Sequence, residues 1–439
     1  MKKIIVFCCL AAAVFFSVTQ CSHAKASDKE KHVRDTTKKQ SVELYADLKI
    51  DTTCALAQAL GHWIDSACQK LNGTVIIARH DTILVERACG YLQLFRETTG
   101  YDTITYEQLG GLRKSDDNKM TMETLFDLAS ISKQFTAASI LKLCSEGKLK
   151  LTDSLCKYFP TIPYKYVTIK QLLTHTSGLP EYFNFDIKLY DNSFMIDNEQ
   201  LIEVMAQQKF PRMFPRGSDY KYVNTNYAVL ASIVEKVTGL PFEYYVHKNI
   251  LEPAGLKETR FFTEVLGVSP IDILQHDPVD NGEEYVVAYP MNAFVTRPVA
   301  RGHWKSGALA QYDRLNGILG DKGVYATARD LIQWTNAYYS QYKILPKEWI
   351  DKATKVQNQL ANGQQPDEWY GYGVRMEEKD TTGFVVFHGG LWDGFQNVWL
   401  YRPSDGLQIV FLSNFYNRAH RGKSDEILKF VDSFYRLRY

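Results

Sequence analysis

The sequence Phe-Asp-Leu-Ala-Ser-Ile-Ser-Lys, residues 126–133, is the stretch that decides the predicted fold. Ser130 and Lys133 are three residues apart, so on a helix both side chains lie on one face. An apolar stripe follows them, and it predicts a helix that begins at Ser130 and ends near Gly147. A serine hydroxyl is a weak nucleophile and needs an adjacent base. The first N–H groups of a helix also favour a developing oxyanion. The stretch therefore predicts a nucleophilic serine with a lysine base.

The spacing Ser-x-x-Lys is not specific by itself, because in most contexts it describes a solvated helix face. The chain contains it at Ser22, Ser130, Ser139, Ser145, Ser154, Ser218 and Ser340. Only Ser130 follows an apolar approach segment and opens an amphipathic helix that runs into the core. The sequence around Ser130, rather than the Ser-x-x-Lys spacing itself, therefore identifies Ser130 as the candidate nucleophile.

Two later motifs supply the remaining groups for acyl chemistry. Tyr222 can relay a proton, and Asn224, two residues on, can bind a substrate carbonyl. His388 precedes a pair of glycines ending at Gly390, and such glycines let a substrate approach an edge strand closely. The backbone N–H of Leu391 is then a candidate second oxyanion donor beside that of Ser130. His175 is interpreted as structural, since no relay partner stands beside it in the sequence.

In this order, the three motifs resemble those of class C β-lactamases and penicillin-binding proteins. Three further stretches are similar to that family: residues 172–180 (LLTHTSGLP), 253–256 (PAGL) and 323–331 (GVYATARDL). The similarity runs from about Leu56 to the C-terminus, with residues 94–118 as the main departure.

The resemblance implies a role for each motif residue. Ser130 would be the acylated nucleophile, and Lys133 and Tyr222 the acid/base pair. Asn224 would contact the substrate and the lysine, and His388 would be the third-motif residue. Class C β-lactamases carry a lysine where His388 stands, and a histidine of ordinary pKa is mostly neutral at pH 7. The histidine therefore argues against antibiotic hydrolysis as the first interpretation.

The fold expected is α/β, with a β-lactamase/transpeptidase-like antiparallel sheet flanked by helices and an inserted all-helical lobe. Strand-like runs occur near both ends of the chain, while the middle carries short helical signals. The predicted α/β lobe comprises residues 46–150 and 310–439, and the helical lobe comprises residues 151–309. By resemblance, the cleft lies between the lobes.

The N-terminus predicts export. Lys2 and Lys3 precede an apolar run, residues 4–18, and residues 24–26 (Ala-Lys-Ala) match a signal peptidase site. We therefore expect a signal peptide over residues 1–26 and a disordered linker over residues 27–45. A lipoprotein anchored through Cys21 is the alternative, although the bulky Gln20 precedes it. The expected location is the periplasm or the exterior.

Composition and cysteine spacing narrow the partners. The net charge of +1 gives no reason to expect a nucleic acid partner, and we expect no transmembrane span. Five cysteines follow the leader, at positions 54, 68, 89, 144 and 156, without the C-x-x-C spacing of metal sites, and neither H-E-x-x-H nor G-x-S-x-G occurs. No metal or other cofactor is predicted, and a disulfide framework is not implied.

The leading hypothesis is an exported serine hydrolase that forms an acyl-enzyme on Ser130 and takes a small ester, amide or peptide substrate. Transfer of the acyl group to a small-molecule alcohol stays open. So do a true β-lactamase, a D-Ala-D-Ala carboxypeptidase and a non-catalytic binder of cell-wall fragments. The sequence does not indicate an oligomeric state.

Overall fold

The computed structural model describes residues 48–68, 71–93, 118–191, 195–265, 297–304, 308–310, 312–364, 366, 368–379, 383–416 and 423–436. The predicted signal peptide and linker lie outside these residues, as does the predicted insertion apart from Asn118. Within the described part of the chain, no helix is both long and apolar enough to cross a bilayer.

The main sheet has eight strands in the order β1-β3-β2-β11-β10-β9-β8-β7, and every neighbouring pair except β1–β3 is antiparallel. The strands are β1 Lys49–Ile50, β2 Gly73–Arg79, β3 Thr82–Cys89, β7 Trp369–Tyr370, β8 Arg375–Lys379, β9 Gly383–Trp392, β10 Phe395–Arg402 and β11 Leu407–Ser413. A second sheet contains β4 Phe126–Asp127, β6 Val324–Ala326 and β5 Arg260–Phe261, in that order. The predicted α/β fold class is confirmed.

Eleven α-helices occur in the described residues. They are α1 Ala55–Cys68, α2 Lys133–Ser145, α3 Ile169–Leu173, α4 Asn198–Gln208, α5 Thr225–Thr238, α6 Phe242–Val246, α7 Glu252–Ala254, α8 Phe262–Val265, α9 Ala328–Thr335, α10 Lys347–Ala353 and α11 Lys423–Arg436. Helix α5 ends at Gly239, which takes the left-handed conformation that ends a helix at little steric cost.

The central strands β2 and β11 are buried on both faces, as their apolar runs require. Val75 and Ile77 of β2 pack with apolar residues of α1 and α11, the helices at the two ends of the described chain. Ile76, on the opposite face, belongs to the larger core cluster that includes α2, α5 and α9. Alternate side chains of one strand thus join two layers of helices.

Two details differ from the sequence-based expectation, and the disulfide state of the cysteines, which the sequence left open, is partly resolved. The helix predicted to begin at Ser130 begins at Lys133, and a 3₁₀ turn, Ala129–Ser132, precedes it. The small β4–β6–β5 sheet was not predicted, because its strands are only two or three residues long and leave no periodicity to detect. Cys89 is disulfide-bonded, whereas Cys54, Cys144 and Cys156 are free. The division into lobes at residues 150 and 310 stays a prediction.

Candidate active site

Ser130 lies on the tight turn that joins β4 to α2. Ala129, immediately before it, has a φ of +48°, a conformation that costs a non-glycine residue about 1–2 kcal/mol. The backbone N–H of Ala129 donates to Asp127 Oδ1 at 2.7 Å, so the buried carboxylate offsets part of that cost. Asn397 of β10 also donates to the Asp127 carbonyl oxygen at 2.7 Å. The strained turn is therefore held from its own strand and from the main sheet.

Lys133 is fully buried directly beneath Ser130. Its Nζ lies 3.0 Å from Ser130 Oγ, 2.8 Å from Asn224 Oδ1 and 2.8 Å from the backbone oxygen of Asp321. The amide and backbone oxygens can only accept hydrogen bonds, whereas the serine hydroxyl can also donate. A neutral amine has two N–H groups and one lone pair. In that state, the N–H groups go to Asn224 and Asp321, and the lone pair faces the Ser130 proton.

Burial makes the neutral state of this lysine accessible. Desolvation lowers the pKa of Lys133 from 10.5 to about 8, and the Arg375 guanidinium acts in the same direction. The negative charges of Asp321 and Glu181 oppose the shift. At pH 7 about a tenth of the molecules then carry the neutral amine, against fewer than one in a thousand for an exposed lysine. Lys133 is thus a usable base near neutral pH.

Glu181 determines which end of the Asn224 amide faces Lys133. Glu181 Oε2 accepts from the Asn224 backbone N–H at 2.8 Å and from its Nδ2 at 3.0 Å. An ionised carboxylate cannot donate, so the amide nitrogen must face Glu181 and the amide oxygen must face the lysine. Burial raises the pKa of Glu181, and its second oxygen, Oε1, is buried without a hydrogen-bond partner in the described chain. Sequence reasoning missed this residue.

Tyr222 presents a buried hydroxyl beside Ser130. It has no hydrogen bond of ordinary geometry with any described residue, although the nearby serine hydroxyl opposes the rise in its pKa. Burial is the larger effect and raises the pKa of Tyr222 above its usual value. Lys133 Nζ lies 5.0 Å from the centre of the tyrosine ring, and the Arg375 guanidinium carbon lies 4.7 Å from it. The group is therefore a phenol at neutral pH, suited to donate a proton.

His175 holds the segment that carries Tyr222. Its carbonyl oxygen accepts from Lys221 N–H at 3.1 Å, and its Nδ1 accepts from Val223 N–H at 3.1 Å. Its ring packs on the Tyr222 ring with centroids 4.4 Å apart. Burial lowers the pKa of His175 well below its ordinary value, which keeps Nδ1 available as an acceptor. The residue is structural, as interpreted from the sequence, and what it positions is the tyrosine.

Strand β9 forms one wall of the cleft, and it is not the edge strand that was predicted. Its first half pairs with β8 as far as Phe387, opposite Arg375, while β10 pairs with residues 386–392 on its other side. From His388 to Trp392 no described strand pairs with the β8 side, so this half alone is a free edge. A Cβ on Gly390 would collide with the carbonyl oxygen of Leu128, which explains the glycine.

His388 is buried and uncharged. Its Nδ1 lies 2.7 Å from the Gly389 carbonyl oxygen, and its Nε2 lies 3.1 Å from the Tyr370 hydroxyl. Burial, with help from the nearby positive charges, lowers the pKa of His388 well below 6.5. A permanent cation is supplied instead by Arg375 on β8, which pairs with Glu368. No sequence motif marks Arg375, since only the pairing of β8 with β9 brings it to the site.

Six of the seven predicted site residues line one cleft of about 680 Å³. They are Ser130, Tyr222, Asn224, His388, Gly390 and Leu391. The seventh, Lys133, lies beneath the cleft floor in contact with Ser130 and Asn224. Among the described residues, no cluster of three or more His, Cys, Asp or Glu side chains is arranged to hold a metal ion.

Comparison with known proteins gives consistent matches over most of the chain. The family model described as Beta-lactamase matches residues 65–431. A penicillin-binding protein of Bacillus subtilis (strain 168) is 28% identical over 349 residues, which cover 79% of this chain and 68% of the relative. A putative D-alanyl-D-alanine carboxypeptidase of Escherichia coli (strain K12) is 29% identical, covering 71% and 75%. Esterase EstB of Burkholderia gladioli is 25% identical, covering 84% and 92%.

The fold has matches among solved structures. A penicillin binding protein from Bacillus halodurans superposes with a TM-score of 0.62 at 23% identity, covering 85% of this chain and 98% of the other. At 23% identity, this match supports the fold and not a shared function.

Proposed function

The chain belongs to the beta-lactamase family of serine hydrolases, and from that premise we propose that it hydrolyses an ester or amide through an acyl-enzyme on Ser130. The observation that carries the proposal is the environment of Lys133 Nζ. Three oxygens surround it, and only that of Ser130 can donate a proton. The neutral amine is therefore aimed at the nucleophile.

In the acylation step, Ser130 Oγ bonds to the substrate carbonyl carbon and its proton passes to Lys133 Nζ. The carbonyl oxygen becomes an oxyanion that accepts from the backbone N–H groups of Ser130 and Leu391. When the tetrahedral intermediate collapses, the bond to the leaving group breaks and Tyr222 donates the proton that this group needs. The lysine ammonium then returns a proton to the tyrosine. The net change transfers the serine proton to the leaving group.

Deacylation follows the same route in reverse, with water in place of the leaving group. The water oxygen bonds to the acyl carbon, one water proton enters the Tyr222–Lys133 pair, and the proton returned to Ser130 Oγ completes the cycle. An alcohol bound in the same place would take the acyl group instead, which is the transfer reaction that stays open. No described contact favours that acceptor over water.

Arg375 favours substrates with a carboxylate near the leaving group. Glu368 pairs with one NH2 group of its guanidinium, and the Arg375 side chain lines the cleft beside Tyr222. The neutral His388 cannot supply this charge. A peptide with a free C-terminus has its carboxylate in the leaving residue, so carboxypeptidase-like cleavage is the second candidate function. Bidentate recognition by arginine suits a carboxylate geometrically.

Export is also proposed. The basic, apolar and small-residue segments of residues 1–26 follow the order of a signal peptide. The disulfide bond of Cys89 supports an oxidising compartment, because such bonds are rare in the cytosol. Fractionating cells that produce the full chain, followed by mass determination of the mature N-terminus, distinguishes cleavage near residue 26 from lipidation of Cys21.

The nucleophile is tested by labelling with a fluorophosphonate probe. The native protein is expected to label with a stoichiometry near one, and Ser130→Ala is expected to lose labelling and at least 10⁴-fold of its ester turnover. Ser145→Ala is a matched control, because Ser145 begins the same Ser-x-x-Lys spacing on an exposed part of α2. Equal labelling of Ser130→Ala and the native protein would eliminate the proposed nucleophile.

The role of Arg375 is tested with a pair of peptides that differ only in a free or methylated C-terminus. Loss of a charge-assisted hydrogen bond costs about 1.5–3 kcal/mol, so the preference for the free acid should fall roughly 10- to 100-fold in Arg375→Met. An unchanged ratio would remove the carboxypeptidase-like candidate.

A further inference from the structure

The chemistry gives the cleft a direction. Tyr222 protonates the leaving group, and Arg375 lies over the same ring, so the leaving group occupies that end. Arg375 pairs with Phe387, just before the free edge of β9 begins. The acyl group must extend the opposite way, along the edge toward Trp392. At about 3.4 Å per residue, the four residue steps from His388 to Trp392 span roughly 14 Å.

The acyl end of the cleft is walled by two aromatic side chains. Phe183 and Trp392 stack with their ring centroids 4.8 Å apart at an interplanar angle of 16°. The indole Nε1 donates to Asn316 Oδ1, which fixes the orientation of the tryptophan. Leu391, the preceding residue of β9, points to the opposite face of the sheet and is not part of this pair. Phe183 and Trp392 form a wall, which we call the acyl wall, with apolar surface facing the cleft.

A buried lysine braces the acyl wall from behind. Lys322 Nζ donates to the Tyr182 hydroxyl and the Leu315 carbonyl oxygen at 2.8 Å, and to the Ile318 carbonyl oxygen at 2.9 Å. Those contacts use all three protons of the ammonium group, so Lys322 has none left for a substrate. Its Nζ also lies 5.2 Å from the centre of the Trp392 ring. The charge of Lys322 thus lies beside the Trp392 ring, while its hydrogen-bonding capacity is already used.

We propose that the acyl wall is a specificity subsite for an acyl group that carries an aromatic ring, such as a phenylacetyl group. The inference rests on the proposed acyl-enzyme at Ser130 and names the acyl side of that substrate. A flat ring against Phe183 and Trp392 gains both apolar burial and ring–ring contact, whereas a charged or strongly hydrated acyl group loses water without a partner. Lys322 also lines this part of the cleft, but its ammonium protons are already taken by a tyrosine hydroxyl and two carbonyl oxygens.

The test compares three p-nitrophenyl esters, the acetate, hexanoate and phenylacetate, so that the leaving group stays constant. Each value of kcat/KM is divided by the rate of hydroxide-catalysed hydrolysis of the same ester, which removes intrinsic reactivity. The native enzyme is expected to prefer phenylacetate over acetate at least tenfold, the scale of discrimination typical of an apolar pocket. Phe183→Ala is expected to reduce that preference to about threefold or less.

Phe185→Ala is the matched control. Phe185 lies two residues from Phe183 and is half-buried like it, but it stacks on Phe210, at a ring distance of 4.0 Å, and does not border the cleft. This variant should keep the native preference. An equal loss in both phenylalanine variants, a native preference for hexanoate, or no preference would overturn the subsite. Ser130→Ala separates the two proposals: if it loses turnover of all three esters while the native enzyme shows no preference, only the subsite fails.

Discussion

Raising the pH from 7 to 9 is expected to increase the rate of Ser130 acylation about tenfold. Only the neutral form of Lys133 has a lone pair for the serine proton. With its pKa lowered to about 8, the neutral fraction rises from about a tenth at pH 7 to about nine tenths at pH 9. The shift from 10.5 represents about 3 kcal/mol in favour of the neutral amine. Activity therefore increases as the pH rises through 8 and then levels off.

The assay is kcat/KM for an activated ester measured from about pH 6 to about pH 10, since this quantity reports ionisations of the free enzyme. Ser130→Ala provides the non-enzymatic background at each pH. Asp127, near the nucleophile, also titrates in this range, because burial raises its pKa to about 7. Asp127→Asn keeps an oxygen acceptor for the Ala129 N–H and removes that ionisation, so the limb near pH 8 must persist in this variant.

The variant Glu181→Gln tests whether the pKa seen in the pH profile belongs to Lys133. The Glu181 charge raises the pKa of Lys133, and a glutamine oxygen can still accept from Asn224. The limb should therefore move to lower pH in this variant. A profile that is flat above pH 7, or a limb that stays in place when the Glu181 charge is removed, would refute the assignment of Lys133 as the base.

Three further predictions concern side chains around the nucleophile. Gly390→Ala is expected to lower kcat/KM at least 100-fold because its Cβ meets the backbone of the nucleophile turn, whereas Gly389→Ala, whose nearest neighbour is 3.7 Å away, should stay within about threefold; similar losses would contradict the close approach. Tyr222→Phe should slow alkyl esters at least 100-fold and p-nitrophenyl esters much less, because a good leaving group needs no proton; equal losses in steady-state kinetics would contradict its role as the acid. His175→Phe leaves the buried N–H of Val223 unpaired and should lower the free energy of unfolding in urea by about 1–3 kcal/mol; an unchanged midpoint and slope would show that the N–H finds another partner.

The principal elements of the fold were predictable from local patterns. The hairpin of β2 and β3, helix α5 with its stop at Gly239, and strands β9 to β11 have apolar periodicity and turn residues within each segment. The small sheet that supports the nucleophile turn was not predictable, because its three strands come from residues 126–127, 260–261 and 324–326 and are too short to show a period. Their pairing is entirely a product of tertiary packing.

By itself the sequence determined the chemical groups of the site and their order along the chain, because Ser130 and Lys133 are one helical turn apart and the other motifs have recognisable contexts. Only the tertiary structure decided the protonation states of those groups. The pKa of Lys133 depends on burial and on charges at Asp321, Glu181 and Arg375, which are distant in sequence. Desolvation and Coulomb interactions depend on distance in space, so a linear pattern cannot report them. The free half-edge of β9 has the same origin, since it exists only where β8 ends.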